Sequence, residues 1–500
     1  MKRKARRLQY AGVIVLLLFA VLYTKEEITL AGNESSRFGV IQALGEQGVF
    51  HIERTNFAST VDRVEWNGHV YSDKPLPLSS AAAVVHGTVH RLTGINFSEN
   101  RMLAIYLINL LFSGGCNILL FLWMFRLLRR TCRGRIEVKW LLALAMCLST
   151  WLLTYSVIFN TPAALAVLGL VIALEKYRRR PTLRAAACAA AAAGAAGALD
   201  IPLGFFCGIA AAAGIALESP ARQRLRPVLT VFAVGGGSAA GIVLLNHIAY
   251  GTILPLYIAG GSYVPPLLWA TMPVYWYECL FGFRGLFSYQ PFLLLIFPAV
   301  WLLRKKLRVP EWTGLGIAAA VVVFYLSLTG EYGGPSYGMR YLVPVIPVFW
   351  LVISRWILSW KQAVWKAAAV VFLLLWGCVT SLIGVYCPFC IANPQPVSQQ
   401  SSGHDLRAGP GGRDDEAADR FARRRGQLPA YLRLRRPYAF AAARGRTAPE
   451  QSGGAAQGGE NFSALSRCFP VSRPPCGREP PAARGPPPAC PLHMPREPEG

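Results

Sequence analysis

Long apolar blocks separated by short polar connections dominate residues 1–390. A helix that crosses the hydrocarbon core needs about 20 mainly apolar residues. Residues 1–23 pair a basic start with an apolar run, and no small-x-small cleavage site follows before Lys25, so we predict an uncleaved first helix rather than a signal peptide. Further spans are predicted near residues 102–125, 138–158, 161–176, 184–198, 201–217, 227–248, 286–303, 313–329, 341–356 and 366–386. The pattern predicts an all-α, polytopic membrane protein with about eleven transmembrane helices.

Basic residues divide the predicted connections into two sets. The basic set comprises the N-terminus and residues 126–139, 176–184, 222–226, 304–308 and 355–366. If the spans number about eleven, all of these fall on one side, which the positive-inside rule assigns to the cytoplasm. The other side receives residues 25–100, Asn160, Asp200, residues 249–285 and 330–340, and the C-terminal tail. We therefore expect an integral membrane protein with a cytoplasmic N-terminus.

Composition agrees with this assignment. Hydrophobic residues make up 53% of the chain and charged residues 15%, against roughly a quarter charged in soluble domains. The net charge of +25 comes from the connections and the tail, so topology explains it and no nucleic-acid partner is expected. The 12 cysteines are scattered, and no metal-ligand set surrounds the Cys387–Cys390 pair.

Residues 391–500 change character. From residue 401 onward they contain no lysine but many arginines, prolines, glycines and alanines, without a periodic apolar face. Such a segment buries too little surface to offset its ordering entropy, which predicts a disordered tail. Shifted-frame translation of GC-rich DNA would give the same composition, and both interpretations stay open. No function is assigned to it.

The first outer loop, residues 25–100, is long enough to fold on the membrane surface. Asn33 is a plausible N-cap and Glu34 an early acidic residue, so a helix that lies at the membrane interface is expected to start here. Arg37 would neighbour Glu34 at i+3. The apolar face of this helix would comprise Phe38, Ile41 and Leu44. Capping and dipole matching are the alternative role for Glu34.

A second signal in this loop is Gly68-His-Val-Tyr71-Ser-Asp73-Lys74-Pro75-Leu-Pro77. Its prolines impose an extended stretch or a turn before an apolar helix over residues 78–92. Lys74 at that helix start is suited to an anionic headgroup, and plain interfacial placement is the alternative. His86 and His90 lack the glutamate of an H-E-x-x-H motif, so packing is expected there rather than metal binding.

Later connections add polar groups on the same side. Asp200 lies at a turn, either as a functional acid or as a helix cap. Residues 331–340 combine glycines with Tyr337 and Arg340, whose guanidinium is suited to a bidentate phosphate contact. A tight loop with Arg340 anchored at the interface is the alternative. Together, these groups favour a lipid-linked anionic substrate.

These residues resemble the GT-C superfamily of membrane glycosyltransferases, which includes protein O-mannosyltransferases and lipid A aminoarabinose transferases. The resemblance covers roughly residues 1–390. The motifs that carry it are Asn33-Glu34-Ser-Ser-Arg37, the segment from Gly68 to Pro75, Arg284-Gly285-Leu286-Phe287-Ser-Tyr-Gln-Pro291, and Gly333-Gly334-Pro-Ser-Tyr337-Gly338-Met-Arg340-Tyr341-Leu342-Val-Pro344. Their order, spacing and common side make the combination more specific than any one motif.

The resemblance implies a polyprenyl-phosphate sugar donor and transfer to an extracytoplasmic acceptor, without cofactor or metal. It makes Glu34 the catalytic base and Lys74 the contact to the lipid phosphate. The family position of Glu34 is often aspartate, and Ser35 follows it, so no paired-acid motif is present; Asp62 or Asp73 is then the candidate second carboxylate. Substrate contacts are expected from Lys74, Arg37, Asp62, Tyr71, Asp73, Tyr337 and Arg340.

Since the resemblance is to bacterial members of the superfamily, we expect a hexosyl- or pentosyltransferase of the cell envelope in the bacterial inner membrane. Membrane lipid would surround it, and a lipid, glycan or protein would be the acceptor. Two alternatives stay open: a carrier or flippase for a lipid-linked sugar, and an inactive GT-C relative that binds lipid. Carriers usually contain internal repeats or broken helices at membrane depth. No matching halves are visible in this sequence.

Overall fold

The computed structural model describes residues 2–27, 32–160, 162–259, 272–282, 285–328, 333, 336–360 and 364–388. Several positions singled out in the sequence lie outside this part of the chain: Arg284, Glu331, Cys390 and the tail at residues 391–500. The expectations for them stay predictions.

Helices account for nearly all of the regular structure. They are α1 (Lys2–Tyr23), α2 (Gly32–Gln42), α3 (Leu76–Thr93), α4 (Arg101–Asn109), α5 (Gly115–Thr131), α6 (Ile136–Leu148), α7 (Trp151–Tyr155), α8 (Ala163–Arg179), α9 (Leu183–Leu199), α10 (Ile201–Glu218), α11 (Leu225–Tyr250), α12 (Leu256–Ala259), α13 (Met272–Leu280), α14 (Leu286–Tyr289), α15 (Ile296–Leu303), α16 (Val309–Leu328), α17 (Ile346–Ile357) and α18 (Val364–Tyr386). Residues Ala43–Gln47 and Leu110–Gly114 form π-helical turns, and Ala221–Gln223, Pro291–Leu295 and Arg340–Val345 are 3-10 helices. Two strands, β1 (Arg63–Trp66) and β2 (His69–Ser72), pair in the first loop.

Within the described residues, seven helical segments are long and apolar enough to cross a membrane. They are Arg3–Tyr23, Arg101–Thr131, Ile201–Glu218, Leu225–Tyr250, Val309–Leu328, Arg340–Ile357 and Val364–Tyr386. Large apolar side chains such as Phe232 and Leu244 are exposed on α11, as a lipid-facing surface requires. The all-α, polytopic membrane class is thus confirmed.

The remaining predicted spans are shorter helices. Leu183–Leu199 and Pro291–Leu303 are apolar but fall short of the usual crossing length. The block predicted at residues 138–158 divides into α6 and α7 because the chain leaves the helix at Ser149, and Thr150 then caps α7 by accepting a bond from the Leu152 N–H. The number of about eleven crossings stays a prediction.

The predicted basic connections meet one another at one end of the bundle. Glu175, near the end of α8, forms ion pairs with Arg178, Arg179 and Arg308. Similar contacts join the other basic segments: Lys4 with Glu137, Arg355 with Glu311, Arg179 with the Arg130 carbonyl and Arg308 with the Thr131 carbonyl. The grouping inferred from charge therefore appears as physical contact.

The predicted outer connections also meet one another. The Lys25 N–H donates to the Val157 carbonyl at 2.9 Å, and the Trp66 indole donates to the Tyr250 carbonyl at 3.0 Å. Asp200 caps α10 through the Leu203 N–H and accepts a bond from the Tyr325 hydroxyl. The first loop is thus joined to the residues before α8 and to the end of α11, and Asp200 is joined to α16. The extracytoplasmic orientation of these segments stays a prediction.

The helix expected at Asn33 is present, with two differences. It begins at Gly32, so the predicted N-cap role of Asn33 is wrong, and the Asn33 side chain instead accepts a bond from Arg37 Nε at 3.0 Å. Residues Ser36 to Gln42 are all buried, because α3 and β2 pack against α2. The expected interfacial helix with one apolar face is therefore an enclosed helix.

The stretch before α3 is extended, as its prolines predict, but it also belongs to a hairpin that we did not predict. Val64 of β1 stands opposite Tyr71 of β2. The turn residues Asn67 and Gly68 both have positive φ, of 51° and 80°. Asn-Gly is the preferred sequence for such a two-residue turn, so the signal was present in the chain. The hairpin leads β2 directly into Asp73 and Lys74.

Gly45 and Gly87 allow the backbone of α3 to pack directly against the backbone of the first π-helical turn. A Cβ at Gly87 would lie 2.8 Å from the Gly45 carbonyl oxygen, closer than carbon and oxygen normally approach. The turn ends at Gly48, whose φ of 74° favours glycine. This contact places His86 of α3 against Glu46 of the turn, with 2.8 Å between Nε2 and Oε1.

We expect cysteine labelling to detect the two ends of the bundle. Glu65→Cys, on exposed β1, should react with a membrane-impermeant thiol reagent in intact cells. Arg133→Cys, exposed in a basic connection, should react only after permeabilisation. The wild-type protein gives the background from native cysteines. If the Arg133→Cys variant were labelled in intact cells and the Glu65→Cys variant were not, the predicted orientation would be wrong.

Candidate functional site

The carboxyl group of Glu34 lies in a nearly dry environment at the start of α2. Glu34 is 3% exposed, and its Oε1 accepts a hydrogen bond from the Phe159 N–H at 2.8 Å. The ring of Phe159 packs on Phe38 with 5.4 Å between centroids. Burial raises the pKa of Glu34 to about 8, against the opposing effects of the Phe159 N–H and of Arg37. Near neutral pH this carboxyl group is mostly protonated.

Arg37 lies one turn further along the same helix and is also buried, with 5% exposure. Its Nε donates to Asn33, whereas Nη1 is shielded from solvent and has no hydrogen-bond partner in the described part of the chain. Burial, followed by the nearby Arg340, lowers the pKa of Arg37 to about 10, while Asp73, Asp62 and Glu34 oppose that change. Arg37 remains a cation near neutral pH.

Lys74 is held by two carboxylates. Its Nζ lies 2.9 Å from Asp62 Oδ2 and 3.1 Å from Asp73 Oδ1, and its side chain is 19% exposed. Burial and the adjacent Asp62 raise the pKa of Asp73, and Lys74 opposes this. The backbone here is tied to α2, since Ser72 and Ser36 share a hydrogen bond of 2.6 Å and Ser72 accepts from the Lys74 N–H.

Arg37 links the two halves of the predicted site. Its charge interacts with Glu34 on one side and with Asp62 and Asp73 on the other. The expected close pair between Glu34 and Arg37 does not form, because Arg37 Nε is directed to Asn33 and Glu34 to the Phe159 N–H. The described contacts of Glu34 and of Lys74 are thus separate, and the buried guanidinium lies in the electrostatic field of both.

Two further predicted substrate contacts, Arg340 and Tyr337, have different surroundings. Arg340 starts a 3-10 helix, lies over the Tyr341 ring at 5.3 Å, and interacts with the charge of Arg37. Tyr337 is 4% exposed, and its hydroxyl donates to the Thr380 carbonyl at 2.6 Å. Arg340 therefore belongs to the Arg37 cluster, whereas Tyr337 serves in this structure to pack its loop against α18.

Tyr71 also takes part in packing. It is buried on β2, and its ring meets that of Tyr250 edge to face at 5.1 Å. Burial raises the pKa of its hydroxyl, and Glu53 adds to this. Tyr71 thereby fixes the strand that leads into Asp73 and Lys74.

Two features of this face were not predicted. His51, Glu53 and His69 converge at the turn end of the hairpin, although Glu53 and His69 are 16 residues apart in sequence. An apolar groove of about 390 Å³ also runs between α1, α3, α4 and α5. Leu17, His86, Ile108 and Gly115 are among the residues lining it. Neither Glu34 nor Lys74 belongs to that lining, so the groove is distinct from the charged cluster.

Comparison with solved structures shows a similarity of fold. No family model and no curated protein sequence matches this chain. The chain is similar to the crystal structure of ArnT from Cupriavidus metallidurans bound to undecaprenyl phosphate, with 13% sequence identity and a TM-score of 0.47. The match covers 77% of this chain and 76% of that one. At this level of similarity, the function has to be argued from the residues of the chain itself.

Proposed function

We propose that this protein is a membrane glycosyltransferase that moves a sugar from a polyprenyl-phosphate donor to an extracytoplasmic acceptor. The observation that carries the proposal is the buried Arg37 guanidinium, whose Nη1 has no acceptor among the described residues. An unsatisfied buried cationic donor is costly unless a ligand or ordered water completes it. A phosphate oxygen is a suitable acceptor, because guanidinium and phosphate form strong charge-assisted hydrogen bonds.

The donor phosphate would be bound by the cations around this point. Lys74 lies three residues beyond Tyr71 at the start of α3, and Arg340 approaches Arg37 from the 340–345 helix. Asp62 and Asp73 hold Lys74 in place before substrate arrives. When the bond to the sugar breaks, negative charge grows on the phosphate, and preorganised cations stabilise that charge. The resemblance to GT-C enzymes assigns the same contact to Lys74.

Glu34 would act as the general base in a single displacement. The acceptor oxygen forms a bond to the anomeric carbon as the bond from that carbon to the phosphate oxygen breaks. The acceptor proton passes to Glu34, and polyprenyl phosphate leaves. A base whose pKa lies near the operating pH combines an available ionised form with a strong tendency to accept a proton. Burial in contact with the Phe159 N–H gives Glu34 such a pKa, of about 8.

Lipid binding without transfer is the second candidate. It is favoured by the protonated state of Glu34 near neutral pH, because a protonated carboxyl group cannot accept the proton of an acceptor. In that case the cluster would bind the phosphate and no acceptor would react. The two candidates differ in turnover and not in lipid affinity.

The first prediction concerns the base. Glu34→Gln should abolish sugar transfer, a loss of about a hundredfold or more, because the amide cannot accept the proton. Transfer is measured with the purified protein, a radiolabelled polyprenyl-phosphate sugar and membrane extract as the source of acceptor. Binding of polyprenyl phosphate and the amount of protein in the membrane should remain near wild type.

Glu65→Gln is the matched control, since Glu65 is an exposed acid in the same loop. It should transfer at the wild-type rate. Full activity of Glu34→Gln would remove Glu34 from the mechanism, and lipid binding without turnover in the wild-type protein would favour the second candidate.

The rate of transfer should depend on pH with the sign that a base requires. With a pKa of about 8 for Glu34, the ionised fraction and the rate rise about tenfold per unit of pH below 8 and level off above it. The test is the initial rate between pH 6 and pH 9 at saturating donor. A rate that falls as pH rises through this range would contradict the assignment.

Lys74 should control donor affinity. Lys74→Ala is expected to weaken binding of polyprenyl phosphate in detergent micelles by about tenfold or more, because a charge-assisted contact contributes roughly 1.5–3 kcal/mol. Lys74→Arg keeps the charge and should lose less. Lys25→Ala is the control, since Lys25 lies in the same loop but stacks near the Tyr386 ring. Unchanged affinity in Lys74→Ala would place the phosphate elsewhere.

A further inference from the structure

The turn end of the first-loop hairpin brings together two imidazoles and one carboxylate. One ligand atom from each of His51, Glu53 and His69 lies within 4.8 Å of the others. His51 Nδ1 is 2.6 Å from Glu53 Oε2, and His69 Nδ1 is 3.0 Å from Glu53 Oε1. The two rings stack with 4.7 Å between centroids and 19° between planes. Both imidazoles therefore face the same carboxylate from one side.

The two histidine–glutamate contacts differ. His69 Nδ1 shares a hydrogen bond with Glu53 Oε1, whereas His51 Nδ1 is shielded from solvent and its close approach to Glu53 Oε2 lacks hydrogen-bond geometry among the described residues. His51 Nδ1 is therefore available to ligate a metal ion beside the Glu53 carboxylate. Two histidines and one glutamate form a known ligand set for zinc, with a fourth position left for water.

The backbone holds these donors in place. The Ile52 N–H donates to the Val70 carbonyl at 2.8 Å, and the Val70 N–H donates to Glu53 Oε1 at 2.7 Å. Ile52 itself is fully buried beside Tyr71. Residues 51–53 thus run alongside β2, so His51 and His69 are fixed opposite each other, and the Val70 N–H orients the carboxylate as outer-shell contacts do in metal sites.

The dimensions also fit. Two donors on one tetrahedral zinc ion lie about 3.4 Å apart when each bond is about 2.1 Å long. The two histidine–glutamate separations would open by less than about 1 Å, which side-chain rotation allows because His69 is 50% exposed. Exposure of the His69 ring also gives the ion a route from solvent.

We propose that His51, Glu53 and His69 bind a zinc-class divalent ion on the outer face of this protein. The ion cross-links residues 51–53 to β2 and so holds the turn end of the hairpin against that segment of the first loop. This site is separate from the Glu34–Arg37–Lys74 cluster, and its existence does not depend on the proposed transferase activity.

The test is metal binding by the full-length protein in detergent, after removal of any polyhistidine tag and stripping with chelator. Zn²⁺ is titrated against a chromophoric competitor, and Co²⁺ absorption reports the coordination geometry. The wild-type protein should bind one Zn²⁺ ion. The Glu53→Gln variant and the His51→Ala/His69→Ala double variant should each lower the affinity for Zn²⁺ by about tenfold or more. Zn²⁺ should also raise the thermal unfolding temperature of the wild type but not of the double variant.

His247→Ala is the matched control, because His247 is an exposed histidine near the end of α11. It should bind the ion as the wild type does. Glu53→Gln retains an oxygen for the Val70 N–H, so it separates lost ligation from lost folding. Absence of binding, or binding that these variants leave unchanged, would overturn the site. Either result can occur whether or not the protein transfers sugar.

Discussion

The burial of a guanidinium beside a carboxyl group within α2 is the constraint on which the outer face depends. Moving an arginine out of water costs several kcal/mol unless carboxylates and hydrogen-bond acceptors surround it. Here the compensation comes from three parts of the chain: Asn33 on the same helix, Asp62 before the hairpin and Asp73 after it. The loop folds around Arg37 because each of these groups has to reach it.

The same constraint explains why Glu34 is unusual. Arg37 Nε donates its hydrogen bond to Asn33 and not to Glu34. Among the described residues, Glu34 accepts its hydrogen bond from the Phe159 N–H. A single backbone donor offsets only part of the burial, so the neutral form is favoured. The ionised form of such a carboxyl group accepts a proton readily because its pKa is high. This is the role proposed for Glu34.

Most of the transmembrane helices could be predicted from the sequence, but fewer features of the candidate site could. Apolar blocks and basic connections depend on local composition, so the helices and the grouping of loops followed from the pattern. The start of α2 was misplaced because Asn33 resembles a cap but is needed by Arg37. The cluster of His51, Glu53 and His69 was missed because the pairing of residues 51–53 with β2 is a contact of long sequence separation. The Asn67-Gly68 turn was the available signal for the hairpin, but it does not predict which segment pairs with the outer side of β2.

The backbone contact between Gly45 and Gly87 has a consequence for motion. Because no side chain separates the two segments, α3 cannot slide along the π-helical turn without collision, and the His86–Glu46 bond further fixes its rotation. The π-helical turn that follows α2 and the middle of α3 are therefore held together at this contact, which opposes sliding between them. Because the turn continues α2 directly and Lys74 immediately precedes α3, the contact couples the position of Lys74 to that of the buried residues on α2.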